Sequence, residues 1–140
     1  TTLCGMPDPI RVSVEGLPAA NPTYAQAVRI GDVVYVSGQL GIDPATAKLV
    51  PGGQVAEYRQ ALTNLAAVLA AAGSSIKRVV KTTIYMTNID QLAELNQVYG
   101  EFFSEAPPAK TGVEVSRLAL KASIEIEAVA VGAGSDAAGL

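Results

Sequence analysis

Apolar and polar positions along the chain change period several times, and each change marks an element. From residue 54 the positions Val55, Tyr58, Leu62, Leu65, Leu69 and Ala72 alternate spacings of three and four, which lays one apolar stripe along a helix. Gly73 ends it as a C-terminal cap. Upstream, residues 10–14 and 25–30 read as short strands, separated by the turn-prone Gly16-Leu17-Pro18 and Asn21-Pro22 segments. Residues 33–37 form a firmer strand, joined to the preceding one by Gly31-Asp32, a two-residue hairpin signal. Residues 40–53 carry Asp43-Pro44 and Pro51-Gly52-Gly53 and predict a loop long enough to reach a neighbour. Residues 79–86 are β-branched and aromatic, with Val80, Ile84 and Met86 on one parity, and predict a strand. A second helix follows, capped by Asn88 or Asp90, lined by Leu92, Leu95, Tyr99 and Phe102 and stopped by Pro107-Pro108. Strands at 110–117 and 123–131 close the pattern.

The order β-β-β-α-β-α-β-β predicts an α+β domain, a mixed six-stranded sheet with two helices on one face. Residues 10–131 make one domain, with a flexible leader at 1–9 and a flexible tail at 132–140 rich in Gly, Ala and Ser. The face without helices must meet water or another subunit. The register expected for the closing strands turns Val113, Val115, Ile124 and Ile126 to the helices, and Lys110, Gly112, Glu114, Glu125 and Glu127 to the other side with Val129 and Val131. Such a mixed face suits a subunit interface with an ionic site at its rim.

Composition narrows the chemistry. With 140 residues, 49% of them hydrophobic, one compact core burying roughly 68–70% of the unfolded surface is expected. A net charge of −3 provides no cationic field for a phosphate backbone, so nucleic acid is not the expected ligand. No apolar run reaches membrane-spanning length, and the start of the chain lacks the features of a secretory signal. Cys4, the single cysteine, excludes an intramolecular disulfide and fits a reducing cytoplasm. The chain has no histidine, which removes a Ser-His-Asp triad, a Cys-His pair and a His-ligated zinc site together. Acid-base chemistry falls to Asp, Glu, Lys, Tyr or water.

Several segments in order carry a family resemblance. They are Tyr24-Ala25-Gln26-Ala27-Val28, Tyr35-Val36-Ser37-Gly38-Gln39, Asp43-Pro44, Gln60-Ala61-Leu62-Thr63-Asn64-Leu65, Ala72-Gly73, Val79-Val80-Lys81-Thr82-Thr83, Asn96-Gln97-Val98-Tyr99 and Phe102-Phe103. Pro108-Ala109-Lys110 and Ile124-Glu125-Ile126-Glu127-Ala128 complete the set. Together they resemble the Rid proteins, the reactive intermediate deaminases also called the YjgF family. The resemblance implies a chorismate-mutase-like α+β fold, a homotrimer, and clefts between subunits that bind small carboxylates. It also implies hydrolysis of a 2-imino acid, or of an aminomuconate-like enamine, to a keto acid and ammonia, with no cofactor and no metal.

Carried over by residue, the family's cleft corresponds to Tyr24, Ser37, Asn96, Lys110, Gly112 and Glu125. Glu125 would direct water at the imine carbon, Lys110 and the Gly112 amide would hold the substrate carboxylate, and Tyr24, Ser37 and Asn96 would shape the cleft. The family normally has Pro-Ala-Arg where this chain has Pro-Ala-Lys. Arginine offers a planar fork for two carboxylate oxygens, whereas lysine offers a flexible point charge. Subfamilies without the arginine are associated with loss of ordinary imino acid deamination. A second departure is Ala20-Asn21-Pro22-Thr23 before Tyr24, where the family has Gly-Pro.

Three other readings stand beside this one. Lys110 can act as a nucleophile if desolvation lowers its pKa. The chain can be a trimeric ligand-binding or chaperone-like module. Relatives have been described as ribonucleases, which the acidic charge and absent histidines disfavour here. Glu125, Glu127 and Glu114 also suit structural ion pairs, Tyr24 and Asn96 suit hydrogen-bonding scaffold, and Lys110 suits a surface strand start.

Overall fold

A computed structural model describes residue 5, residues 7–17 and residues 23–133. Cys4, the Ala20-Asn21-Pro22 departure and most of the predicted tail lie outside the described residues. Among the described residues, eight strands and two long helices run in the order β1 (Ile10–Val12), β2 (Ala27–Ile30), β3 (Val33–Leu40), β4 (Ile42–Asp43), β5 (Lys48–Leu49), α1 (Gln54–Ala71), β6 (Val79–Met86), α2 (Leu92–Phe102), β7 (Ala109–Glu114) and β8 (Ile124–Val131). Six of the strands form one mixed sheet in the order β1-β2-β3-β8-β6-β7, antiparallel except for the β6/β7 pair. The predicted six-stranded α+β sheet with two helices is therefore the observed one. The predicted loop at 40–53 instead holds the small β4/β5 hairpin, whose turn is closed by Asp43 Oδ1 accepting from the Ala45 amide at 2.9 Å.

Burial alternates along the central strands, so one face of the sheet is core. Val34, Val36, Thr82, Ile84, Met86, Ile124, Ile126, Ala128 and Ala130 are buried beneath Tyr58, Leu62, Leu65, Val68 and Leu69 of α1 and Leu95 and Tyr99 of α2. Leu92, expected in the buried stripe of α2, is instead exposed, because the helix opens there from a short 3-10 turn capped by the Asn88 side chain. Val80 is likewise exposed, since the β6/β8 register shifts between Val79 and Lys81.

The C-terminus of α1 is finished by a neighbouring strand. Gly73, at φ +78°, lets the Ser74 amide turn back to the Leu69 carbonyl at 2.8 Å. Arg29 of β2 then donates to the Ala72 carbonyl at 2.8 Å and the Gly31 carbonyl at 3.0 Å, and sits 3.5 Å from Asp32. A Cβ on Gly73 or Gly132 would lie 2.4 Å from this guanidinium, so both positions stay open for it. Among the described residues no helix is long and apolar enough to cross a membrane.

Candidate functional site

Where β3 crosses β8 the register slips by one residue: Val36 faces Ala128, but Gln39 faces Ile126. The extra residue bulges the strand at Ser37-Gly38, beside a cavity of about 620 Å³. Tyr24, Gln26, Ser37, Gly38, Leu120 and Glu125 are among its walls. The bulge is held from both sides. Ser37 donates its hydroxyl to the Ala25 carbonyl, and its amide reaches the Gln26 carbonyl at 2.9 Å. Gln39 Nε2 donates to Gln26 Oε1 at 3.0 Å and to the Ser37 carbonyl at 3.1 Å.

Glu125 enters this cavity over Gly38. A Cβ at position 38 would stand 1.8 Å from Glu125 Oε1, so the carboxylate occupies the volume that any other residue's side chain would take. Burial raises the Glu125 pKa above the ordinary carboxylate range, and the neighbouring Glu127 raises it further. Glu127 itself accepts from the Tyr85 hydroxyl at 2.7 Å, and that bond is the main reason the Tyr85 pKa is raised. A half-buried carboxylate with a raised pKa, in a cavity lined also by Tyr24 and Ser37, is equipped to accept a proton.

Lys110 is elsewhere. Its Nζ donates to Asn96 Oδ1 of α2 and lies 4.5 Å above the centre of the Tyr99 ring. Tyr99 is fixed in turn by a 2.7 Å hydrogen bond between its hydroxyl and that of Thr82. Both partners of the ammonium are neutral, and desolvation lowers the Lys110 pKa. Gly112, two residues along β7, is on this side as well, with Met86 Cε 3.2 Å from where a Cβ would be.

The sequence-predicted residues thus separate into two clusters on opposite faces of the sheet. Tyr24, Ser37 and Glu125 share the cavity, whereas Lys110, Asn96 and Gly112 meet at the outer strand on the helix side. This overturns the expected register, which turned Lys110, Gly112 and Glu114 to the same face as Glu125. The reason is pairing: β7 runs parallel to β6 with Lys110 opposite the fully buried Thr82, while Glu125 is opposite Tyr85, whose hydroxyl reaches Glu127 on the helix-free face. Val113 consequently faces away from the helices and is 38% exposed. Three residues along the strand, at about 3.3 Å each, and two strand spacings of about 4.8 Å separate the Lys110 and Glu125 backbones by roughly 14 Å.

Several cavity residues carry no sequence expectation of their own. Gly38 is the clearest, although an interior glycine in an apolar strand is a bulge signal. Asn64 is another: its Nδ2 donates to the Leu40 and Ile42 carbonyls at 3.1 and 2.8 Å, pinning the strand end that lines the cavity. Leu120 is a third. Its position gives no periodic signal, since it belongs to an irregular turn.

Comparison with known proteins bears on the same region. Residues 15–132 match the family described as endoribonuclease L-PSP. The chain is 43% identical over 120 residues to 2-iminobutanoate/2-iminopropanoate deaminase of Capra hircus, covering 86% of this chain and 88% of that one. A Rid family protein of Yersinia pestis superposes with a TM-score of 0.85 at 37% identity, covering 89% of this chain and 99% of the other. TdcF of Escherichia coli, solved with bound serine, gives 0.81 at 34% identity, covering 87% and 98%.

Proposed function

Because the chain belongs to the endoribonuclease L-PSP family, the Rid or YjgF proteins, we propose that it hydrolyses the imine of a small 2-imino carboxylate to the 2-keto acid and ammonia. The observation that carries this reading is the Glu125 carboxylate, set against the bare Gly38 backbone with a raised pKa. Ionised Glu125 takes a proton from water as the water oxygen bonds to the imine carbon. Glu125 passes that proton to the nitrogen of the resulting carbinolamine, the carbon–nitrogen bond breaks as the hydroxyl oxygen closes the carbonyl and gives its proton back to the carboxylate, and the nitrogen leaves as ammonia. An iminium carbon is already electrophilic, so orientation and one base supply most of what the reaction needs.

In this reading Lys110 holds the substrate carboxylate. The carboxylate carbon of a 2-imino acid is bonded directly to the imine carbon, so Lys110 and Glu125 of one chain, roughly 14 Å apart on opposite faces, cannot serve the same molecule. The site is completed between subunits of a homotrimer, Glu125 from one and Lys110 with Asn96 and Gly112 from the next. Support comes from the helix-free face, where Ile30, Tyr35, Val80 and Val113 are exposed among Lys81, Thr83 and Glu127, a composition suited to a subunit contact. Residues 10–131 form the functional unit, working in the cytoplasm on a small carboxylate rather than on nucleic acid.

The test is ammonia and keto acid release from imines generated in situ from L-alanine and L-2-aminobutyrate by an amino acid oxidase. The native chain is expected to accelerate release, Glu125→Gln to lose about 10²- to 10⁴-fold, and Lys110→Arg to gain through bidentate anchoring. An inactive native chain that gains activity only as Lys110→Arg would sink ordinary deamination as the native function.

One observation favours a second reading: among the described residues the Lys110 ammonium meets Asn96 and Tyr99, both neutral, and partial burial lowers its pKa. Such a lysine can attack a carbonyl as the free amine. Borohydride trapping with pyruvate should then add the mass of the reduced adduct at Lys110, and no adduct removes the Schiff base reading.

A further inference from the structure

The turn leading into β8 holds two consecutive residues with side chains in the left-handed region, Leu120 at φ +58° and Lys121 at φ +59°. That conformation is sterically disfavoured for any residue with a Cβ, and such outliers collect at ligand clamps and active sites. Leu120 is also the most exposed large hydrophobic among the described residues, at 70%. Neither fact is explained by folding, since the side chain adds nothing to the core.

Its position offers an explanation. Leu120 lines the Glu125 cavity and also walls a neighbouring space of about 510 Å³ bounded by Thr87, Arg117, Lys121 and Ser123. Leu40 and Ile42 line the Glu125 cavity with it. Leu40 pairs with Glu125 itself, where β3 parts from β8, and the Leu120 turn enters β8 at that same end. Tyr24, Gln26 and Ser37 approach from the segment before and beside β2. The Glu125 cavity therefore offers three aliphatic side chains, Leu40, Ile42 and Leu120, besides its hydrogen-bonding groups. A methyl side chain would be too short to cover these three aliphatic groups, whereas a four-carbon chain can reach them.

We propose that Leu120, with Leu40 and Ile42, receives the substrate side chain, so that this chain prefers 2-imino carboxylates bearing isobutyl or n-butyl groups over those bearing methyl. Leu120 is the specificity-determining residue. This rests on imine hydrolysis at Glu125 and deepens it by assigning the substrate class.

The experiment compares kcat/KM of the full chain for imines generated from L-leucine, L-norleucine and L-alanine, in the native protein and in Leu120→Ser and Leu120→Gly. Apolar contacts of this size discriminate by roughly tenfold or more. The native ratio of leucine-derived to alanine-derived imine should exceed one, and both variants should lower it about tenfold. Leu120→Gly relieves the left-handed backbone, so its melting temperature should not fall and the comparison is made on folded protein. A native preference for the alanine-derived imine, or a ratio unchanged in both variants, overturns this inference and leaves hydrolysis standing. No acceleration of any imine by the native chain overturns hydrolysis itself, and this inference with it.

Discussion

Replacing Gly38 by alanine adds one methyl group at the point where Glu125 needs space. The new Cβ would stand 1.8 Å from Glu125 Oε1, 2.7 Å from Cδ and 3.1 Å from Cγ. Ordinary contact is about 3.5 Å, so the carboxylate must retreat by roughly 1.5 Å or swing out of its seat. A misplacement of about 1 Å costs on the order of 10²-fold in rate, and complete loss of a general base costs about 10²- to 10⁴-fold. Gly38→Ala should therefore lower kcat by at least about 10²-fold. Stability should hardly change. The φ of Gly38 is not in the left-handed region, the obstructing atoms end a flexible side chain, and alanine loses less backbone entropy than glycine on folding. A net change of about 1 kcal/mol in either direction corresponds to a few degrees in Tm. Keto acid release from the alanine-derived imine gives the rate, and a thermal melt gives the stability. The double variant Gly38→Ala/Glu125→Gln should be no slower than Glu125→Gln alone, because both changes remove the same function. A folded Gly38→Ala enzyme within about threefold of the native rate, far short of the 10²-fold loss, would refute the assignment of Glu125 in this seat as the group that directs water.

Subunit sharing predicts complementation: Glu125→Gln and Lys110→Ala are each inactive, yet refolded together they should regain about one quarter of native activity, since a site needs the intact half from each neighbour. No recovery by mixed assemblies of confirmed composition would argue for a site within one chain. The raised pKa of Glu125 requires activity to fall as pH drops through that value, and Glu127→Gln should shift this acid limb to lower pH without reaching the ordinary carboxylate value, because burial is the larger cause. The sign for stability is opposite. A carboxyl whose pKa is raised by folding stabilises below its unfolded pKa and loses that contribution as pH rises through the folded one, so Glu125→Gln should melt higher than native at neutral pH. Arg29→Ala removes charge-assisted bonds to the α1 terminus at Ala72 and to the Gly31 turn, worth about 1.5–3 kcal/mol, a loss on the order of 5–10 °C in Tm read by calorimetry. An unchanged melt would mean that water replaces the guanidinium at no cost.

Periodicity determined both helices, the β6 strand and the hairpin at Gly31-Asp32, since each rests on local spacing and on residues with strong backbone preferences. The resemblance supplied the residues Glu125, Tyr24 and Ser37 that line one cavity, and Lys110 with Asn96, which do touch. Which groups share a face was another matter. Alternation along a strand separates two faces, but only pairing to a neighbour says which is the core. For β8 the choice was legible, because Ile124 and Ile126 must be buried and Glu125 and Glu127 are then turned away. For β7 it was not. Every residue from Ala109 to Glu114 is exposed at the sheet edge, so burial exerted no preference between Val113 inward and Lys110 inward. The parallel register against Thr82 and the reach of Asn96 and Tyr99 from α2 decided it. The bulge at Ser37-Gly38 is of the same kind: the glycine was visible in the sequence, but the carboxylate that fills its missing side chain comes from a strand nearly ninety residues later. Composition and local pattern thus determined the elements and the chemically capable residues, whereas long-range strand pairing decided which of them can act together, and set the anchor and the base of the proposed reaction on opposite faces of one sheet.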